Sequence, residues 1–366
     1  MERVGCCITP HGLGHAARAC AVMQALAELV PVCFEIVSTV PAWFFSESLP
    51  GISYRLHPLA CDIGLVQSSP LQEDLEQTIR LLDGFFPIDE TLLDQTAALF
   101  ADCRLVLCDI AVLGIAAAAR AGSVSVLLEN FTWDWIYRGY LREYPGLEPH
   151  IIYLQQQYET ADFHLQAAPF CGSKTGDVLL PPIARPGRNP RAWVRTRLQV
   201  EPDDELVLLT MGGSDSKQEL LPDVSSLDQV FILPGHTAGN AMVVRDNLRL
   251  LPRETTFHHP DLVAASDAVI GKIGYSTLAE VYRAGTPYGY IRRPGFRESA
   301  PLADFVDREM TGLEISVHDF TSGNWLSLVP ELCRLARSRG SGENGARPAA
   351  RFLAGLLCRE PLEIRP

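Results

Sequence analysis

The sequence predicts an α/β protein of two doubly wound, mostly parallel-sheet domains in series, and three observations carry that expectation. Short apolar runs alternate with helical patterns from the first residues onward, the βαβ rhythm of a parallel sheet covered on both faces. A proline-rich stretch, Pro181-Pro-Ile-Ala-Arg-Pro-Gly-Arg-Asn-Pro190, interrupts the rhythm near the middle, after which it restarts. The length, 366 residues, exceeds one ordinary core and suits two domains of typical size.

Taken in order, residues 4–8, 32–37, 105–108 and 124–128 are apolar and short enough for buried strands. Residues 15–29 and 110–121 have the pattern of crossover helices, and 71–100 that of one long helix or two short ones. In the second half, 206–210, 230–233, 268–270 and 288–291 predict strands, with helices at 277–284 and 301–308. Residues 338–346 are polar and glycine-rich, a mobile loop in expectation, before a last helix near 348–358. The predicted domains are 1–185, 186–345 and a C-terminal helix and tail, 346–366. Open α/β sheets bind ligands beyond the carboxyl ends of their strands, so a cleft between two such domains is the expected site.

Composition narrows the function. Hydrophobic residues make up 47% and charged residues 20%, the balance of a globular protein with a packed core. Net charge is −13, from 31 basic and 44 acidic side chains, which argues against a nucleic-acid partner. The ten cysteines lack CxxC spacing and mostly sit in apolar runs, as small buried hydrophobes do in a reducing compartment. Glu2 and Arg3 lead directly into the first strand without a secretory signal, and residues 105–128 are interrupted by Asp109, Arg120 and Gly122. A cytoplasmic protein with no transmembrane segment is expected; oligomeric state is not indicated.

In the first half, Thr9-Pro-His-Gly-Leu-Gly-His15 closes a strand and opens a helix containing Arg18. Gly12 and Gly14 allow a tight turn and close approach to a ligand. A dinucleotide fingerprint would continue to a third glycine where Ala17 stands. His15, near the helix start, suits a general base, or alternatively a capping or packing histidine. Asp109 ends a predicted strand; it suits a carboxylate that orients an imidazole, or an N-cap for the helix at Ile110. The loop Glu129-Asn-Phe-Thr-Trp-Asp-Trp-Ile-Tyr137 makes Asn130, Trp133 and Trp135 candidates for an acceptor platform, or for a hydrophobic plug.

In the second half, Gly212, Gly213 and Ser214 follow a strand as a phosphate-cradling turn would. Ile270-Gly-Lys-Ile-Gly-Tyr-Ser-Thr-Leu-Ala-Glu280 is a second glycine-rich turn between strand and helix. It brings Gly274, Ser276 and Thr277 to a helix start and Lys272 beside it. Glu280, one turn further, suits two hydrogen bonds from ribose hydroxyls, or a plain helix surface. Glu298 and Ser299 follow the strand at 288–291 and suit a sugar's hydroxyls.

These pieces in this order resemble the GT-B glycosyltransferases, two Rossmann-like domains facing across a cleft. His11-Gly-Leu-Gly-His-Ala-Ala-Arg18 is similar to their opening loop. Gly212-Gly-Ser214, His259-Pro-Asp261 and 274–280 are similar to the donor domain of the peptidoglycan N-acetylglucosaminyltransferase and of plant UDP-sugar glycosyltransferases. A closer resemblance is to the glycosyltransferase-like amino-terminal region of plant arabinose kinases. It is carried by Asp62-Ile-Gly-Leu-Val-Gln67, the 130–137 loop and Gly271-Lys-Ile-Gly-Tyr-Ser-Thr-Leu-Ala-Glu280. The resemblance implies a nucleotide-sugar donor held by the second domain: Glu280 on the ribose, the Ser214 loop and Ser276–Thr277 on the phosphates, Glu298 on the sugar, His259 nearby. It implies His15 as base with Asp109 orienting it. Ser299-Ala300 departs from the Gln or Asn usual after the acid, which leaves the sugar open. The expected activity is inverting, metal-independent transfer from a nucleotide-sugar, by resemblance a UDP-sugar, to an acceptor hydroxyl. No Asp-x-Asp metal motif occurs, so neither metal nor cofactor is expected. The alternatives are a nucleotide-sugar-binding regulatory protein without turnover, or a hydrolysing nucleotide-sugar epimerase.

Overall fold

The computed structural model describes residues 1–212, 223–237, 239–338, 340 and 342–358. They divide into two units. The first comprises Met1–Val66, Asp74–Ala184 and the chain from Glu343 onward; the second comprises Gln67–Glu73 and Arg185–Gly342. The chain therefore enters the second unit twice, once with a short insertion and once with its main body. The expected break at residue 185 falls beside this crossing, whereas the C-terminal helix, Ala346–Cys358, joins the first unit and packs on helix Gly14–Leu29.

Among the described residues, sixteen strands form in chain order. They are β1 (Glu2–Ile8), β2 (Val32–Val37), β3 (Ser53–His57), β4 (Gln67–Ser69), β5 (Gln72–Glu73), β6 (Leu105–Asp109), β7 (Val124–Glu129), β8 (Phe163–Ala167) and β9 (Val178–Leu180). After the crossing come β10 (Leu206–Thr210), β11 (Val230–Thr237), β12 (Val243–Arg245), β13 (Leu248–Pro252), β14 (Ala268–Lys272), β15 (Tyr288–Ile291) and β16 (Gly312–Glu314). The first unit's sheet runs β3-β2-β1-β6-β7-β8-β9, all neighbours parallel. The second runs β12-β13-β11-β10-β14-β15-β16, parallel except for the edge pair β12–β13. The hairpin β4–β5 stands alone.

The central strands are buried along their whole length, as Val-, Leu- and Cys-rich runs covered on both faces must be. In each sheet the strand order reverses beside the first strand, between β1 and β6 and between β10 and β14. Loops at those carboxyl ends open the crevice in which α/β sheets bind ligands. Residues 71–100 hold two helices, Leu75–Phe85 and Glu90–Phe100, separated by Phe86-Pro87 and each capped by an aspartate, Asp74 and Asp89. Among the described residues, no helix is long and apolar enough to cross a membrane.

Candidate functional site

Two groups of side chains gather at the carboxyl ends of the strands, one in each unit. In the first unit β1 delivers the 9–14 turn, in which Gly12 has φ +69° and is exposed, and helix Gly14–Leu29 begins directly after it. β6 delivers Asp109, and the next residue, Ile110, is held at φ +47°. A β-branched residue there is a true conformational outlier, tolerated only where its surroundings over-determine it. Here Tyr158 donates its hydroxyl to the Ile110 carbonyl at 2.7 Å.

His15 Nδ1 lies 2.8 Å from Asp109 Oδ1. Arg18 Nε donates to Asp109 Oδ2 at 2.9 Å, and its Nη2 donates to Oδ1 at 2.7 Å. Arg18 Nη1 donates to Asn130 Oδ1 at 2.5 Å. His15 and Arg18 are three residues apart and so share a helix face, which is what lets both meet one carboxylate. All four residues are buried; Arg18 is 1% exposed and Asp109 0%. Burial pushes the Asp109 carboxyl up, but the Arg18 guanidinium and the His15 hydrogen bond outweigh it and hold the group below the usual aspartate range. The capping alternatives are not realised: no side chain caps helix Gly14–Leu29, and the helix after Asp109 starts at Val112 with Ala111 as N-cap.

The aromatic loop supports this group from behind. Trp133 is fully buried, donates Nε1–H to Asp62 at 2.6 Å and stacks on Tyr137. It is packing beneath the site and offers no open face to an acceptor, whereas Trp135 is half-buried. Asp62 opens the 62–67 stretch that carries part of the resemblance, but that stretch assigns it no role; burial raises its carboxyl above the ordinary range.

In the second unit Gly212, at φ +87°, closes β10, and a methyl placed on it would stand 3.4 Å from Lys272 Nζ. Lys272 ends β14, two residues before Gly274, the N-cap of helix Tyr275–Ala284. Ser276 and Thr277 occupy the first turn of this helix, half-buried. Its N-cap, Gly274, has no side chain to offer the leading N–H groups, and these start two residues after Lys272, an arrangement suited to an anion. Gly213 and Ser214 lie outside the described residues.

Glu280, one turn along, accepts from Arg185 Nε at 3.0 Å on Oε1 and meets His259 Nδ1 at 2.6 Å on Oε2. Burial opposes ionisation of Glu280, yet Arg185 above all, and then His259, bring its carboxyl down to about 2. Arg185 carries no sequence signal beyond being a charged residue within a proline-rich crossing. Ser299 Oγ accepts from the Arg293 N–H at 3.2 Å and is buried, as is Glu298, the N-cap residue of helix Ser299–Glu309.

No family model matches the chain. It is similar to the L-arabinokinase of Arabidopsis thaliana, 27% identical over 358 residues, which are 94% of this chain and 33% of the kinase. The chain thus spans about a third of the length of that curated relative. Among solved structures it is similar to a Polygonum tinctorium UDP-glucosyltransferase capable of glucosylating indoxyl. The identity is 14% and the TM-score 0.59, over 98% of this chain and 99% of that one. The glycosyltransferase VinC, solved in complex with dTDP, matches at 16% identity and TM-score 0.57, over 97% and 95%. Acinetobacter baumannii MurG matches at 15% identity and TM-score 0.51, over 97% and 100%. With two seven-stranded sheets in series and this likeness to glycosyltransferases, the chain has the GT-B fold.

Proposed function

We propose that the protein is an inverting, metal-independent glycosyltransferase that takes its donor as a nucleotide-sugar, in first choice a UDP-sugar. The observation that carries this reading is the buried His15–Asp109 contact of 2.8 Å at the switch point of the first sheet. With the Nδ1 proton directed to Asp109, Nε2 is left as a base for an acceptor hydroxyl. The hydroxyl proton passes to Nε2, the acceptor oxygen bonds the anomeric carbon, and the bond from that carbon to the nucleoside diphosphate breaks. The leaving diphosphate gains charge, which Lys272 and the uncapped start of helix Tyr275–Ala284 offset without a cation.

Loss of a general base slows the chemical step by about 10²–10⁴-fold. His15→Ala is therefore expected to lose transfer by that factor while calorimetry in chelator shows unchanged nucleotide affinity. Parental transfer by the variant, or a strict divalent-metal requirement for binding, contradicts the mechanism.

A second reading, nucleotide-sugar binding without turnover, is favoured by one observation: Arg18 occupies both oxygens of Asp109 and neutralises its charge. Tight nucleotide binding with no donor consumption in the parent protein would select it.

A further inference from the structure

In the second unit a carboxylate, Glu280, is the expected ribose contact, but the geometry ranks the residues around it differently. The Glu280 side chain is 2% exposed and Arg185 5%, whereas the His259 ring is 25% exposed. We infer that His259 is the group that meets a ring hydroxyl of the nucleotide's ribose, with Glu280 and Arg185 as positioning residues behind it; this rests on the nucleotide-binding reading above.

The hydrogen bonds assign the roles. A carboxylate only accepts, so the 2.6 Å contact between Glu280 Oε2 and His259 Nδ1 places the ring proton on Nδ1. In the neutral ring the other nitrogen, Nε2, is an acceptor, and among the described residues it has no protein partner. Arg185 holds the second carboxylate oxygen and cancels its charge. What the cluster presents is an imidazole nitrogen over a charge-balanced Glu280–Arg185 pair, which suits a hydroxyl and not a phosphate. Phosphate chemistry belongs four residues earlier on the same helix, at Ser276 beside Lys272. Four residues span about 6 Å of helix axis, within the distance separating a diphosphate from its ribose.

The test compares, by calorimetry, the tightest binder among UDP, GDP, ADP and CDP with its own 2′,3′-dideoxy analogue. The parent is expected to prefer the ribonucleotide by roughly tenfold, the scale of one or two hydrogen bonds. His259→Phe removes that preference and leaves affinity for the dideoxy analogue unchanged. His259→Gln, which can still donate to Glu280 and accept from a hydroxyl, retains part of it. A preference that survives His259→Phe overturns the inference and returns the ribose contact to Glu280. Equal affinities in the parent overturn it while leaving nucleotide binding intact. Failure of the parent to bind any of the four overturns both the inference and the reading beneath it.

Discussion

Asp109 does two jobs that a substitution separates. Its carboxylate orients His15 and also balances the buried Arg18 guanidinium. Asp109→Asn removes the carboxylate charge from beside that buried cation, a change that costs about 3–5 kcal/mol. Urea unfolding is expected to record the loss, and an unchanged midpoint would show that Arg18 is relieved elsewhere. Glu280 yields a pH prediction whose sign is fixed by its depressed carboxyl, at about 2 against an ordinary 4.5. Its stabilising contribution is complete above about pH 4.5 and is lost as pH falls toward 2, on the order of 3 kcal/mol in all. Glu280→Gln should therefore flatten the acid limb of the stability profile by about one proton between those limits. An identical slope in parent and variant refutes the assignment.

The sheets place constraints that single side chains do not. Gly271 of β14 lies opposite Thr210 of β10, and a methyl added to it would stand 1.8 Å from the Thr210 carbonyl oxygen. The two central strands would have to part, so Gly271→Ala is expected to cost about 3 kcal/mol or more by thermal or chemical unfolding. Gly84, inside helix Leu75–Phe85, faces open space, and Gly84→Ala is expected to stabilise by about 0.5–1 kcal/mol. Opposite signs from two identical substitutions would establish which glycines the packing requires.

The same contrast explains what was legible in the chain. β1, β2, β6, β7, β10, β14 and β15 are predominantly apolar, because burial on both faces demands it. β3 (Ser-Tyr-Arg-Leu-His) and β12, at sheet edges, tolerate charge and leave no apolar run, whereas β8 (Phe-His-Leu-Gln-Ala) and β13 (Leu-Arg-Leu-Leu-Pro) lie inside their sheets but are broken by polar residues. Asp109 and Lys272 are legible because they end such runs, and His15 because it opens the helix after the glycine turn that follows β1. Asp62 and Arg185 are not, since their importance arises from partners 71 and 95 residues away.

The molecule as a whole is discontinuous in sequence. Helix Ala346–Cys358 belongs to the first unit, with Ala349, Ala350, Leu353 and Leu357 buried. Leu353→Ala, at a position with 0% exposure, is expected to cost about 2–5 kcal/mol and to do so in the first unit alone. Hydrogen exchange read by mass spectrometry should show faster exchange in β1, β2 and β6 and unchanged protection in β10 and β14. Uniform acceleration across both sheets would mean that the two units unfold as one.

The late position of that helix also bears on how the protein is made. During synthesis the second unit has every one of its residues once Gly342 has left the ribosome, the insertion Gln67–Glu73 included. The first unit, although its segments Met1–Val66 and Asp74–Ala184 precede the main crossing, still lacks the helix that packs on Gly14–Leu29. The part translated first is thus completed last. Until residues 346–358 emerge, helix Gly14–Leu29 on the nascent chain lacks the packing that they supply, and the first unit waits on the last helix for its completion.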